Sequence, residues 1–136
     1  MKVFISYSHK DNFLAKKITS GLVKNGFEVW NAGTEILPGD NWAEKIYRAL
    51  EDSDAMVAII SPDSIESMSV RREIEYALGN KSYSNRLIPV IVGPEQEVPT
   101  ESLPWILQRL QMIRVPKVDQ ADEEISQIAE VLKEAA

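Results

Sequence analysis

The sequence predicts an α/β domain built on a five-stranded parallel sheet with helices on both faces. Three observations lead there. Short runs of apolar residues alternate five times with segments whose apolar residues recur at helical spacing. The two strongest runs, Ala55–Ile60 (AMVAII) and Leu87–Val92 (LIPVIV), are apolar throughout, the pattern of strands covered on both faces. Strands that alternate with helices run parallel and are joined by right-handed crossovers.

The first strand is Lys2–Tyr7 (KVFISY). Ser8-His9-Lys10-Asp11 is polar, and Asp11 is a suitable N-cap for a helix carrying Leu14, Ile18 and Leu22 at i, i+4 and i+8. Asn25-Gly26 closes that helix with a left-handed cap signal. Phe27–Trp30 is the second strand. The next ten residues, Asn31–Asp40 (NAGTEILPGD), hold two glycines and a proline and read as a loop. Such a loop exceeds the usual strand-to-helix connection, which makes it a candidate functional segment. Asp40 or Asn41 caps a helix whose core face is Ala43, Ile46, Ala49 and Leu50.

Strand three, Ala55–Ile60, turns through Ser61-Pro62-Asp63-Ser64 into a helix capped by Ser67 or Ser69. Asn80–Arg86 is a polar turn before strand four, Leu87–Val92, where Pro89 marks an irregular or edge hydrogen-bonding position. Gly93–Pro104 is a loop with three prolines. A short helix over Trp105–Arg109 comes next, with Trp105 expected to pin the last crossover to the sheet. Met112–Val115 is the fifth strand, and the last helix carries Ile125, Ile128, Ala129 and Leu132. Five strands in one doubly wound domain imply the flavodoxin-like order 2-1-3-4-5. Its ligand sites lie beyond the carboxyl ends of the strands, at the switch between strands one and three. Tyr7–Lys10 and Ser61–Ser67 occupy that switch, with the loop after strand two beside them.

At 136 residues the chain is expected to form one domain, 1–136, which is also the size of one module of a longer protein. A net charge of −6 argues against a nucleic-acid binder or a protein held on anionic lipid, since either needs a basic face. Without cysteine there is neither a disulfide nor a thiolate metal site, and the single histidine, His9, leaves little for zinc, so no metal is expected. No apolar run approaches the roughly 18 residues of a membrane span, and the N-terminus lacks a signal peptide's apolar core. A cytoplasmic location is the expectation.

The candidate chemistry centres on Glu73. On a helix, Val70, Ile74, Ala77 and Leu78 share one face, and Glu73 sits at its edge beside Ala77, with Glu75 only slightly further away. Glu73 is within about two turns of a Ser67 or Ser69 cap, where the helix dipole favours an ionised carboxylate. Two readings stand side by side: a solvated glutamate on an amphipathic helix, and a carboxylate at the mouth of the sheet that stabilises a cation forming on a substrate. Other doubly wound chemistries lack their residues. Strand one ends in Ser6-Tyr7-Ser8 rather than an acidic pair, strand three runs into Ser61, and Val115-Pro116 replaces a receiver domain's lysine. Neither GxGxxG nor GxxxxGK[ST] is present.

Phe4-Ile5-Ser6-Tyr7-Ser8-His9-Lys10-Asp11, Gly26-Phe27-Glu28-Val29-Trp30, Ile36-Leu37-Pro38-Gly39-Asp40, Ile60-Ser61-Pro62, Ser67 through Ile74 with Ala77, and Ile88-Pro89-Val90 come in a telling order and spacing. Together they resemble a TIR (Toll/interleukin-1 receptor) domain of the bacterial type, over nearly the whole chain. Many members of that family cleave NAD⁺ between ribose and nicotinamide. The resemblance therefore implies NAD⁺ as substrate, no cofactor, and nicotinamide plus ADP-ribose or a cyclic ADP-ribose isomer as products. The family's catalytic glutamate lies in a W-V-x-x-E pattern, which here is Ser69-Val70-Arg71-Arg72-Glu73. Glu73 matches, and serine replaces the tryptophan, an aromatic wall of the nicotinamide-ribose pocket.

Tyr7, Ser8 and His9 resemble the strand-one edge that lines the family's NAD⁺ site, and further expected substrate contacts are Trp30 as a stacking platform, Leu37 shaping the pocket, Ser69, and Arg72, with Arg71, meeting a pyrophosphate. Each has a plainer reading as well: a surface histidine, a core tryptophan, a turn leucine, a solvated arginine. Ile36, Leu37, Pro38, Gly39 and Asp40 form the family's BB loop, which implies assembly with other TIR domains into an oligomer or filament. Antiphage defence is the common bacterial setting. The alternative is a non-catalytic adaptor acting through TIR–TIR contacts, and a third, weaker option is a base- or ribosyl-transferring enzyme on nucleosides.

Overall fold

Every residue of β3 (Ala55–Ile60) is buried, because this strand lies in the middle of a sheet covered on both faces. The computed structural model describes residues 1–136. Its sheet has the order β2-β1-β3-β4-β5 with all neighbours parallel, formed by β1 (Lys2–Ser6), β2 (Glu28–Trp30), β3, β4 (Leu87–Val92) and β5 (Ile113–Val115). The helices are α1 (Asn12–Lys24), α2 (Ala32–Glu35), α3 (Trp42–Asp52), α4 (Pro62–Ile65), α5 (Met68–Leu78), α6 (Trp105–Gln108) and α7 (Asp122–Ala135).

Successive strand residues point to opposite faces, and the two cores divide accordingly. Val3, Ile5, Val57 and Ile59 pack with Leu14, Ile18 and Leu22 of α1 and Ile125, Ile128 and Leu132 of α7. Phe4, Met56, Ala58 and Ile60 pack on the other side with Leu50 of α3, Ala77 of α5, Tyr83 and Leu107. By the same alternation Ser6 falls on the Phe4 side, the face that α5 covers.

Pro89 is tolerated in an interior strand for a local reason. The Arg86 carbonyl accepts from Met56 N–H (2.8 Å) and the Gly93 N–H donates to the Val115 carbonyl (2.9 Å). Even-numbered residues of β4 therefore bond β3, and Pro89 faces the β5 side, where pairing begins only at Val90↔Ile113.

Several element boundaries differ from expectation. The segment after β2 is not loop throughout: α2 forms within it, capped by the Asn31 side chain accepting from Gly33 N–H. Ser67, not Ser69, caps α5 by accepting from Val70 N–H, and Asn41, not Asp40, caps α3. Asp11 does not cap α1 with its side chain, since that carboxylate instead accepts from Ser61 Oγ at 2.6 Å. Ala43 is exposed and Ile46 half-buried, so the core face of α3 is carried by Ala49 and Leu50 at its C-terminal end. Trp105 is 70% exposed; Leu103 and Leu107 hold the last crossover in its place.

The C-terminal turn of α3 leaves carbonyls without helical partners. One of them, on Leu50, accepts from the buried Tyr83 hydroxyl at 2.6 Å. Tyr83→Phe is expected to lower stability by about 1–2 kcal/mol in urea unfolding with an unchanged circular dichroism spectrum. A smaller loss would mean that water replaces the phenol.

Candidate functional site

On α5 the buried residues are Val70, Glu73 and Ala77, while Leu78 is exposed and Ile74 only half-buried. The helix is thus rotated from the face its apolar spacing implies, and Glu73 takes a core position with 7% exposure. The cause lies across the interface. Ser6, wholly buried at the carboxyl end of β1, donates from Oγ to Glu73 Oε1 at 2.7 Å. Ser69, one turn earlier on α5, donates to Oε2 at 3.2 Å. Each carboxylate oxygen therefore has a hydroxyl donor. Burial pushes the Glu73 carboxyl above the usual glutamate range, and the bonds from Ser6 and Ser69 pull in the opposite direction.

Glu73 opens onto a cleft of about 410 Å³ at the carboxyl ends of β1 and β2. Its walls come from β1 and the turn that succeeds it (Ile5, Tyr7, His9), from β2 and α2 (Trp30, Gly33, Ile36), from α3 (Trp42, Ile46) and from Ser69 of α5. A second hollow of about 330 Å³ lies beyond α5, lined by Ile74, Leu78, Ile106 and Arg71. It is apolar and holds no buried titratable group, so the Glu73 cleft is the better seat for chemistry.

The cleft wall nearest β2 is held by one side chain. Asn31, 2% exposed, accepts at Oδ1 from the Tyr7 hydroxyl (2.6 Å) and from Gly33 N–H (2.8 Å), and donates from Nδ2 to Thr19 Oγ1 (3.1 Å). A Cβ at Gly33 would stand 2.9 Å from the Tyr7 hydroxyl and 3.2 Å from Asn31 Oδ1, so a side chain there would displace the bond between them. Burial pushes the Tyr7 phenol up; the Gly33 backbone opposes this and the Glu73 charge adds to it. Below, Ser61 Oγ ties the end of β3 to Asp11, whose carboxyl is raised by burial against the pull of that bond.

Of the residues singled out in the sequence, Tyr7, His9, Trp30, Ser69 and Glu73 meet in the cleft. His9 is exposed at the rim. Trp30 is largely core, stacked on Phe4 with centroids 5.0 Å apart, and presents only an edge. Ser8, Leu37 and Arg72 lie outside the cleft walls, Arg72 on the exposed face of α5. Of the 36–40 segment, Ile36 lines the cleft and the rest forms a turn. Asp40 N–H donates to the Leu37 carbonyl at 3.0 Å, Pro38 and Gly39 (φ +91°) fill the central positions, and Asp40 Oδ2 accepts from Leu37 N–H at 2.8 Å. This is a type II turn, whose third position needs positive φ. It leaves Leu37 62% exposed.

The sequence pattern does not mark Ser6, Asn31, Gly33 or Trp42 as parts of the site. A serine on the buried face of an otherwise apolar strand and an asparagine directly after a strand are signals, since both need partners when buried. Nothing in the spacing ties Trp42 to Glu73.

A sequence profile of the TIR domain family matches residues 3–132. Human Toll-like receptor 1 is 28% identical over 113 residues, covering 81% of this chain and 14% of the receptor. Among solved structures, a metazoan TIR-STING receptor from C. gigas, in complex with 2′,3′-cGAMP, superposes with a TM-score of 0.75 at 26% identity. That match covers 93% of this chain and 38% of the receptor chain. The TIR domain of the Toll-related receptor TRR-2 from Hydra magnipapillata has a TM-score of 0.74 at 18% identity, covering 96% of this chain and 97% of its own, a likeness of fold. The chain thus spans a minor part of the two receptors with the higher identities. No helix is long and apolar enough to cross a membrane.

A carboxyl whose native pKa is raised contributes stability below its unfolded value, near 4.5, and loses it as pH rises through the native value. Glu73→Gln is therefore expected to be more stable than the parent at neutral pH, by about 1 kcal/mol, with the difference vanishing toward pH 4. Chemical denaturation across that range tests it. A variant less stable at neutral pH would mean that the serine hydrogen bonds outweigh burial.

Proposed function

The chain belongs to the TIR domain family, and from that premise we propose that it is an NAD⁺ nucleosidase that cleaves the nicotinamide–ribose bond. The observation that carries this reading is Glu73: a carboxylate buried at the mouth of the sheet, bonded by two hydroxyls and open to a cleft. Nicotinamide departs from a pyridinium as a neutral molecule, so its leaving needs no general acid. The C–N electron pair goes to the ring nitrogen, and positive charge develops on the ribose. An ionised Glu73 stabilises that oxocarbenium-like centre, as a carboxylate does in glycosidases.

Ser6 and Ser69 fix both oxygens, so the carboxylate need not reorganise as charge forms. Water then adds to C1′ and releases a proton to give ADP-ribose, or the adenine ring adds to give a cyclic isomer. The exposed Leu37-Pro38 turn supports activation by assembly with further TIR domains, since an apolar tip of this kind is covered in an oligomer. The setting we assign is bacterial antiphage defence, in which NAD⁺ is depleted or turned into a signal.

A second reading, a non-catalytic adaptor, is favoured by Ser69, which stands where the family's tryptophan would wall the pocket.

Purified chain incubated with NAD⁺ over a concentration series, with nicotinamide measured by chromatography, tests both. Release is expected to rise more than linearly with protein concentration. Glu73→Gln should reduce it about 10²–10³-fold. Activity should also fail on the acid side at a pH above the ordinary glutamate range, because the ionised form is the active one and burial raises its pKa. Equal release by variant and parent removes Glu73 from catalysis. No turnover at any concentration, including on beads that crowd the chain, leaves the adaptor.

A further inference from the structure

We propose that the cleft selects its substrate by the cationic nucleoside half alone, holding an N-ribosyl pyridinium between Glu73 and the indole of Trp42, with no demand on phosphates. This rests on the reading of the cleft as an N-ribosyl-cleaving site and specifies its substrate class.

Recognition of a pyrophosphate calls for arginine, lysine or a bank of free backbone N–H groups. No lysine or arginine lines this cleft. Four cations on the elements around it have partners elsewhere. Lys10 pairs with Asp63 at 3.5 Å, Lys45 with Asp40 at 3.3 Å, and Arg48 with Glu44 at 2.9 Å. Arg71 donates to the Ile65 carbonyl at 3.3 Å, and Arg72 lies on the exposed face of α5 outside the cleft walls. Gly33 N–H, in the first turn of α2, is taken by Asn31. A chain of net charge −6 adds no attraction for an anion.

What the cleft does hold suits a cation. Glu73 supplies a negative charge on one wall, and Trp42 stands on another, 58% exposed. An indole face is the best aromatic partner for a cation, and a pyridinium ring also stacks on it. With serine at 69 there is no bulky side chain on the α5 wall, and the most exposed aromatic ring of the cleft is Trp42 of α3, beside the half-buried Tyr7 and the edge of Trp30. A volume of about 410 Å³ lies within the range of ligand pockets, about 300 to 1,000 Å³, and accommodates a nucleoside. Because the pyridinium is positive in the bound ground state, Trp42 acts on binding more than on the chemical step.

Initial rates with NAD⁺, with nicotinamide riboside and with inosine, a neutral nucleoside, test the assignment on the unaltered chain. The riboside is expected to show a kcat/KM within about tenfold of NAD⁺, and inosine to show no turnover. Trp42→Ala should raise KM for both pyridinium substrates about tenfold with kcat held, and Trp42→Phe should recover most of the loss. Cleavage of NAD⁺ with the riboside slower by about 100-fold or more would overturn phosphate independence and leave the nucleosidase reading intact. Inosine turnover at a similar rate would overturn selection for the cation, and an unchanged KM in Trp42→Ala would remove the indole. Failure of all three substrates at every protein concentration would overturn the nucleosidase reading and this inference together.

Discussion

A carboxylate buried at the end of a parallel sheet requires a donor, and the Ser6 hydroxyl is the one on which this site depends. The bond spans the β1–α5 interface and joins residues 67 apart in sequence. It matches the rotation of α5, because a glutamate on the buried face needs a hydroxyl to receive it. Leu78 is turned out to solvent as the consequence. Chemistry and packing are in tension here: the same burial that disfavours the ionised form in the resting protein strengthens its field on a nearby developing cation.

Two polar ties hold the carboxyl edge of the sheet around the cleft. Asn31 draws together Tyr7 after β1, Thr19 of α1 and the start of α2. Ser61 couples the end of β3 to Asp11 while capping α4 with the same hydroxyl. The Ser61 tie lies at the β1–β3 switch, where chain order and strand order part company, and the Asn31 tie joins the ends of β1 and β2 beside it. The aromatic and apolar walls then fill in around these anchors. The type II turn at Leu37–Asp40 projects beyond them, with Asp40 bonded to the Leu37 N–H and paired with Lys45.

Much of the architecture was legible in the chain. The apolar runs at Ala55–Ile60 and Leu87–Val92 located the central strands, and Leu14, Ile18 and Leu22 located the first helix, because a buried face leaves its period in the sequence. Glu73 stood out through a pattern match and its nearness to a cap. Pro89 marks an irregular or edge hydrogen-bonding position, and it occupies an unpaired position on the β5 side of an interior strand. Harder to see were α2, which is held by a single asparagine cap, and the outward turn of Trp105, whose neighbours Leu103 and Leu107 do the packing.

By itself the sequence determined the layers, the strand order and the family, since each is recorded in local periodicity and in ordered short motifs. Tertiary structure alone decided that Glu73 is buried, that Ser6 and Ser69 hold it, and that Trp42 shares its cleft while Arg72 does not. Those facts depend on how far each helix rotates and slides against the sheet. The docking angle comes from the sum of contacts between distant segments, so no spacing along one segment can encode it.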